Sequence, residues 1–294
     1  MRRIRLSSPA KLNLFLKVLN KRPDGFHNIS TVFERIDLSD EILLKLNPSG
    51  GIRIECVHPQ VPGGPKNLVY QAAKLLRDDF RIKEGVDIYI KKNIPVAAGL
   101  GGGSGNAATV LKGLNELWKL RLSRPQLLSY ARRLGSDVAF FLYDCPWALG
   151  TERGDFIQKL GIKTKLWHVL VVPCVKIYSG EVYGGLGLAP APEAPSKMLT
   201  KRNDNASIFI HHLRRSDVAQ IGRGLVNDLE RVVLLLSPQL EKLEQRLKSL
   251  DTKGVMVSGS GPCVFAIVET QQQAKDIRRI LSRRFSRVFV AKTL

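Results

Sequence analysis

No run of the sequence stays apolar for anything close to the ~20 residues that span a bilayer. The best candidates, Val169–Val175 and Val232–Leu236, are short and read as buried strand and helix core. Cysteine is scarce as well. Cys56, Cys145, Cys174 and Cys263 form no C-x-x-C pair, and no histidine sits at a metal-ligand spacing from any of them. The pattern argues against a zinc site or a disulfide framework and reads as reduced thiols in a cytoplasmic protein. A targeting segment is missing too. Met1-Arg2-Arg3-Ile4-Arg5 is basic, but Lys11, Asn13 and Lys17 interrupt the apolar stretch behind it, and no small-residue cleavage site follows. No signal peptide is expected. There are no internal repeats and no low-complexity tail.

Acidic residues fall far short of basic ones, 26 against 46, which leaves a formal net charge of +20. A field of that sign draws in polyanions, nucleotides and nucleic acids alike. The charge is spread along the chain. Its local pairs, Arg132-Arg133, Lys201-Arg202, Arg214-Arg215 and Arg283-Arg284, read mostly as solvated faces. Charge therefore favours an anionic partner without identifying one.

What is present is ordinary in bulk: 294 residues, 44% hydrophobic and 24% charged, enough for one large core or two modest ones. Ile4 and Leu6, then Leu12, Leu14 and Leu16, alternate with polar residues and predict an extended segment over Arg2–Lys17. A Pro-Asp-Gly turn at Pro23–Gly25 leads to a second extended stretch around Ile29–Ile36. Ile42, Leu44 and Leu46, Ile52 and Ile54, and Val86, Ile88 and Ile90 alternate in the same way. Helical spacing runs from Asn67 through Leu76, from Ala107 through Trp118, and over Gln126–Arg133. Composition shifts near Gly150–Gly161, and Gly184–Ala194 is a Gly/Pro/Ala-rich connection. Strands at Leu166–Val175, Met256-Val257, Val264–Val268 and Arg287–Ala291 interleave with helices at Ala206–Arg214, Asp217–Gly222, Pro238–Ser249 and Gln272–Arg283. That order predicts a small open sheet covered by helices, and an α+β fold class.

One segment carries chemistry: Pro95-Val96-Ala97-Ala98-Gly99-Leu100-Gly101-Gly102-Gly103-Ser104-Gly105-Asn106-Ala107-Ala108. So many glycines cost backbone entropy unless close approach of the chain to a ligand repays it. A helix beginning near Ser104 adds unpaired N–H groups and the positive end of its dipole, which together make a polyphosphate cradle. Ser104 is placed to cap that helix or to touch a phosphate or its metal. A Walker A loop is absent, because no lysine adjoins Ser104. Gly103–Ala108 fits G-x-G-x-x-A, yet the strand before it alternates in polarity, and no acidic residue lies ~20 positions on for a ribose.

This loop resembles the phosphate-binding motif of the GHMP kinases, the family named after galactose, homoserine, mevalonate and phosphomevalonate. Ser8-Pro9-Ala10-Lys11-Leu12-Asn13-Leu14 is similar to that family's N-terminal motif, and Val257-Ser258-Gly259-Ser260-Gly261-Pro262-Cys263-Val264-Phe265 to its C-terminal glycine motif. Arg22-Pro23-Asp24-Gly25-Phe26-His27, Gly135-Ser136-Asp137-Val138 and Asn227-Asp228-Leu229-Glu230 resemble the 4-diphosphocytidyl-2-C-methyl-D-erythritol kinases within it. Phe26 replaces the usual tyrosine, Ala139 a proline, and Glu152 a common glycine, and the loop carries less glycine at Val96-Ala97-Ala98.

The resemblance implies a two-domain GHMP kinase fold. Residues 1–157 would form a ribosomal S5-like domain with the phosphate loop, and residues 158–294 a ferredoxin-like domain closing the substrate cleft. It implies ATP and Mg²⁺, and phosphorylation of a hydroxyl on a cytidine-diphosphate-linked polyol in non-mevalonate isoprenoid synthesis. Asp137 would take the hydroxyl proton, with Lys11 beside it stabilising both the carboxylate and the developing alkoxide. Pro95–Gly105 and Asn67 would hold the nucleotide, Asn67 near the adenine or as a helix cap. Asn13 would hold polyol hydroxyls from the same strand face as Lys11. Phe26, His27 and Tyr178 would frame the pyrimidine, and Gly259 and Gly261 would lie near the substrate. No membrane or nucleic-acid partner is expected despite the +20 charge, and the chain is expected as a monomer or homodimer. The alternatives are a GHMP kinase of homoserine or mevalonate type, or a basic S5-like nucleic-acid-binding protein.

Overall fold

Where the alternation of apolar and polar residues is strictest, the chain forms strands. The computed structural model describes residues 2–188 and 204–294. The Lys201-Arg202 pair and the far end of the 184–194 connection lie outside the described residues. Two long strands dominate the N-terminal part, β1 (Arg3–Lys21) and β2 (His27–Asn47). The chain divides into two compact units. The first comprises Met1–Ala10, Leu38–Val96 and Gly101–Asp144; the second comprises Lys11–Asp37, Ala97–Leu100 and Cys145–Leu294. This division differs from a cut at 157, because β1, β2 and the glycine loop each change unit part-way along.

In the first unit, Glu41–Asn47 of β2 pairs antiparallel with β4 (Gly85–Lys91), and β4 pairs parallel with β3 (Ile52–Glu55). Ile42 faces Ile90, Leu44 faces Ile88 and Leu46 faces Val86. All six side chains are buried, as period-2 patterning requires of a sheet with one face in a core. Four helices pack on one another in this unit: α1 (Leu68–Asp79), α2 (Gly102–Leu117), α3 (Arg124–Leu134) and α4 (Ser136–Phe141). Gly113 lets α2 rest on the sheet, since a Cβ there would come within 2.5 Å of Leu44 and 2.7 Å of Leu6.

In the second unit, Thr31–Glu34 of β2 pairs antiparallel with β5 (Trp147–Thr151), and β5 pairs with β6 (Phe156–Lys159). Phe15 and Leu16 of β1 run parallel to the short β8 (Val226–Asn227). A separate antiparallel sheet contains β7 (Trp167–Val171), β9 (Gly254–Val257), β10 (Val264–Val268) and β11 (Val288–Lys292), in the order β11-β7-β10-β9. Counted from β7, that is order 4-1-3-2, the ferredoxin-like arrangement.

The helices of this unit are α5 (Ser179–Gly184), α6 (Asp204–Arg215), α7 (Val218–Arg223), α8 (Glu230–Leu236), α9 (Pro238–Lys248) and α10 (Gln271–Leu281). Leu240, Leu243 and Leu247 of α9 and Ala274, Ile277 and Leu281 of α10 share one buried cluster with Val169, Val171, Val264 and Ala266. The C-terminus is tied down by polar groups. Glu34, fully buried, accepts from Thr293 Oγ1 at 2.5 Å and pairs with His168 Nε2 at 2.9 Å. Among the described residues, no helix is long and apolar enough to cross a membrane.

Candidate active site

Lys11 and Asn13 stand two apart on β1 and therefore point to the same face, as alternation predicts. The structure buries both, at 4% and 2% exposure. Lys11 Nζ donates to Asn13 Oδ1 at 2.5 Å, Asn13 Nδ2 donates to Thr31 Oγ1 at 2.8 Å, and Thr31 Oγ1 donates to Phe15 O at 2.8 Å. Asn13 is thus held by its amide nitrogen, and its oxygen orients the ammonium. The Lys11 ammonium also lies 5.9 Å from the centre of the Phe33 ring.

The C-terminal glycine turn sits at this pair. Gly259 adopts φ +56°, and a Cβ there would fall 3.1 Å from Asn13 Oδ1 and 3.6 Å from Lys11 Nζ. Only a residue without a side chain brings the turn so near two polar groups in that conformation. The same turn grips one part of the phosphate loop. Ser258 Oγ donates to Gly99 O at 3.1 Å, and Cys263 N donates to Ala98 O at 3.2 Å. Lys11 N in turn donates to Leu100 O at 3.0 Å.

The remainder of the loop belongs to the first unit. The helix α2 begins at Gly102 with Gly101 (φ +68°) as its N-cap residue, and no side chain caps it. Ser104 therefore lies inside the first turn and is not the cap the sequence suggested; glycines start the helix two residues earlier. Gly103 has open space beyond its Cα apart from Leu68 at 3.9 Å. A bare helix N-terminus with little side-chain bulk fits the oxygens of a polyphosphate. Upstream, Asp40 anchors the entry to the loop. It forms a buried ion pair with Lys92 and accepts from Asn93 N and Ile94 N, both at 2.8 Å. Lys92, which the sequence did not single out, reaches the start of α2: a Cβ at Gly102 would lie 3.2 Å from its ammonium.

Asp137 occupies the first turn of α4, whose N-cap residue is Gly135, with intermediate exposure. Helix α4 packs on α2. Gly105 makes that packing close, since a Cβ there would lie 3.0 Å from Pro9 O, 3.1 Å from Ser8 Oγ and 3.5 Å from Phe141. Asn67 caps α1: its Oδ1 accepts from Val69 N at 2.9 Å while its Nδ2 donates to Pro62 O at 2.8 Å.

The β1–β2 connection is built by Arg22 and Asp24. Asp24 accepts from Arg22 Nε at 3.1 Å and from Phe26 N at 3.1 Å, and Gly25 takes φ +85°. This leaves Phe26 half exposed at 52%, with the Arg153 guanidinium 5.0 Å from its ring centre. His27 is buried and stacks on Tyr183, with ring centres 5.0 Å apart and an interplanar angle of 26°. Burial, helped by the charge of Lys21, holds the His27 imidazole below its ordinary pKa. The ring is therefore neutral at pH 7, with one nitrogen donating and one accepting. Tyr178 is 63% exposed and precedes α5, whereas Tyr183 lies within that helix. Sequence reasoning missed Tyr183, because no helix was read between the Leu166–Val175 strand and the Gly184–Ala194 connection. The Ser179-Gly180-Glu181 start of α5, with an acid in the first turn, was the available signal.

Comparison with known proteins places these features. Residues 67–145 match the GHMP kinases N terminal domain, and residues 209–287 match the GHMP kinases C terminal domain. A protein of Shouchella clausii named 4-diphosphocytidyl-2-C-methyl-D-erythritol kinase is 41% identical over 272 residues, covering 92% of this chain and 88% of its own. One of the same name from Exiguobacterium sibiricum is 39% identical over 289 residues, covering 98% and 97%. Among solved structures, a 4-(cytidine 5'-diphospho)-2C-methyl-D-erythritol kinase matches with a TM-score of 0.78 and 29% identity over 98% of each chain. A homoserine kinase from Cytophaga hutchinsonii, 22% identical with a TM-score of 0.72 over 99% of this chain and 94% of its own, shares the fold. The chain is a small-molecule kinase and belongs to the GHMP kinase family, in the branch of the 4-diphosphocytidyl-2-C-methyl-D-erythritol kinases.

Proposed function

We propose that this kinase transfers the γ-phosphoryl group of ATP to a hydroxyl of 4-diphosphocytidyl-2-C-methyl-D-erythritol, in non-mevalonate isoprenoid precursor synthesis. The observation that carries the choice of acceptor is His27 stacked on Tyr183 beside the exposed Phe26. It occurs in a chain whose near-full-length relatives are named for a cytidyl substrate. A neutral imidazole can donate and accept at once, which suits the edge of a cytosine, and aromatic rings supply stacking faces. Phe26, His27 and Tyr178 are the residues we assign to the base, with Tyr183 fixing the orientation of His27.

Asp137 takes the proton of the acceptor hydroxyl as that oxygen bonds to the γ-phosphorus. The bond from phosphorus to the bridging β–γ oxygen breaks, and ADP leaves. Lys11 stabilises the negative charge on the attacking oxygen, and Asn13, which orients the ammonium, holds the neighbouring hydroxyls of the polyol. Pro95–Gly105 wraps the phosphates with backbone N–H groups, and Asn67 shapes the nucleotide site by fixing the start of α1. Gly259 and Gly261 close the polyol side. Mg²⁺, when bound with ATP, neutralises charge on its phosphates, and Ser104 is the side chain assigned to it. Such an ion is held mainly by phosphate oxygens and water.

Incubation with Mg·ATP and the cytidyl acceptor, following ADP release, tests this reading. ADP release should require that acceptor and fall by about 10²–10⁴-fold in Asp137→Asn. Turnover with homoserine or mevalonate in its place would sink the choice of acceptor. An Asp137→Asn enzyme of undiminished rate would remove the base.

A further inference from the structure

The motif Asn227-Asp228-Leu229-Glu230 has no part in the chemistry above, yet its side chains reach the glycine turn 30 residues away. Asn227, 8% exposed, sends both hydrogens of its amide to that turn: Nδ2 donates to Val257 O at 3.0 Å and to Gly259 O at 2.8 Å. Its Oδ1 accepts from Leu229 N at 3.1 Å, so the whole amide is in use. Glu230 Oε1 accepts from Val257 N at 2.8 Å. Both backbone groups of Val257 are therefore held by side chains of this motif. The other end of the motif holds β1. Asn227 lies opposite Leu16 in the β1–β8 ladder, Asp228 N donates to Leu16 O at 2.9 Å, and Asp228 Oδ2 accepts from Val18 N at 2.8 Å.

These bonds close a ring within the second unit. Lys11 is joined through its own N–H to Leu100, Gly99 through its carbonyl to Ser258, and Gly259 through its carbonyl to Asn227, which returns to Leu16 on the strand that carries Lys11. A ring of this kind sets the spacing between the Lys11–Asn13 pair, the Ala98–Leu100 part of the phosphate loop and the Gly259 backbone. We infer that Asn227 and Glu230 are positioning residues of the phosphoryl-transfer site, acting through the glycine turn without touching either substrate. This deepens the reading given under the proposed function and rests on its placement of Lys11 and Gly259.

Asn227→Asp is the decisive variant. It keeps the acceptor for Leu229 N and nearly the same shape, but cannot donate to the two turn carbonyls. Its kcat per folded molecule should drop by about tenfold to a hundredfold, while KM for ATP and for the acceptor stay within about threefold, the pattern of misplacement rather than lost binding. Glu230→Ala should show the same split, and Glu230→Gln, which keeps an acceptor for Val257 N, should recover most of the rate. Amide hydrogen exchange is measured on the same proteins, where Gly261 and Cys263 should exchange faster in Asn227→Asp. An unchanged kcat, or a rate loss wholly explained by a smaller folded fraction, would overturn the inference. If the wild-type protein turned over homoserine or mevalonate, the acceptor reading would fail, and the same kcat comparison on that acceptor would still decide this one. If the wild-type protein turned over none of these acceptors, unchanged exchange at Gly261 and Cys263 would overturn the brace, and faster exchange would support it.

Discussion

Ala97 holds φ +53° within the phosphate loop, a left-handed conformation in which its Cβ crowds its own carbonyl. Two residues on, Gly99 holds φ +76°, and there the space is closed: a Cβ would fall 2.2 Å from Ser258 O. The two positions should answer oppositely to substitution. Ala97→Gly removes local strain and should raise stability to urea by roughly 0.5–1 kcal/mol, since relief of the strain outweighs the added freedom of the unfolded chain. Gly99→Ala must push the glycine turn away from the loop, and should cost more than about 3 kcal/mol in the same denaturation series. If Gly99→Ala unfolds at the wild-type midpoint, the turn and the loop are not in contact. Glu152 shows the same backbone demand, with φ +55°.

At the scale of elements, α8 and α9 set two carboxyls side by side under the end of β9. Burial first, then the neighbouring carboxyl of Glu230, push the Glu244 carboxyl from its usual 4.5 up to about 7, against a smaller opposing pull from Lys248. A raised carboxyl pKa means that the folded state binds the proton more tightly than the unfolded one. Its contribution to stability is therefore complete below about 4.5 and is lost as pH rises through about 7. Wild-type protein should lose more of its melting temperature between pH 5 and pH 8 than Glu244→Gln, whose side chain is neutral throughout. Parallel melting curves for the two proteins would show that Glu244 titrates with its ordinary carboxylate value. His27 works in the other direction, because its depressed pKa makes stability rise with pH up to the ordinary imidazole value of 6.5. The comparison is therefore made as a difference between the two proteins.

At the scale of the whole molecule, the last residues of the chain return to strands formed at its beginning. Lys292 N donates to Asp37 Oδ1 at 2.9 Å, Thr293 Oγ1 to Glu34, and Leu294 N to Arg35 O at 3.0 Å. Removal of residues 292–294 leaves the buried Glu34 carboxyl with His168 but without its hydroxyl donor. Losing a donor to a buried acceptor costs about 1–3 kcal/mol, which for a protein of this size lowers the melting temperature by roughly 2–5 °C. Scanning calorimetry of the truncated chain against the full one measures this. Equal melting temperatures would mean that the C-terminal bonds merely replace bonds to water.

Sequence reasoning recovered what neighbours along the chain dictate. The alternation at Ile42, Leu44 and Leu46 became a buried register opposite Ile90, Ile88 and Val86, and the shared face of Lys11 and Asn13 became a direct hydrogen bond. The glycine-rich stretch was legible because so many residues without side chains are costly unless something must come close. The tertiary structure decided which groups meet: Tyr183 against His27, Lys92 against Asp40, and Asn227 against the carbonyls of Val257 and Gly259. The physical reason is the range of the signal. Periodicity is written in residues a few positions apart, while a side chain bonded to a distant backbone leaves no pattern until the chain has folded and brought the two together.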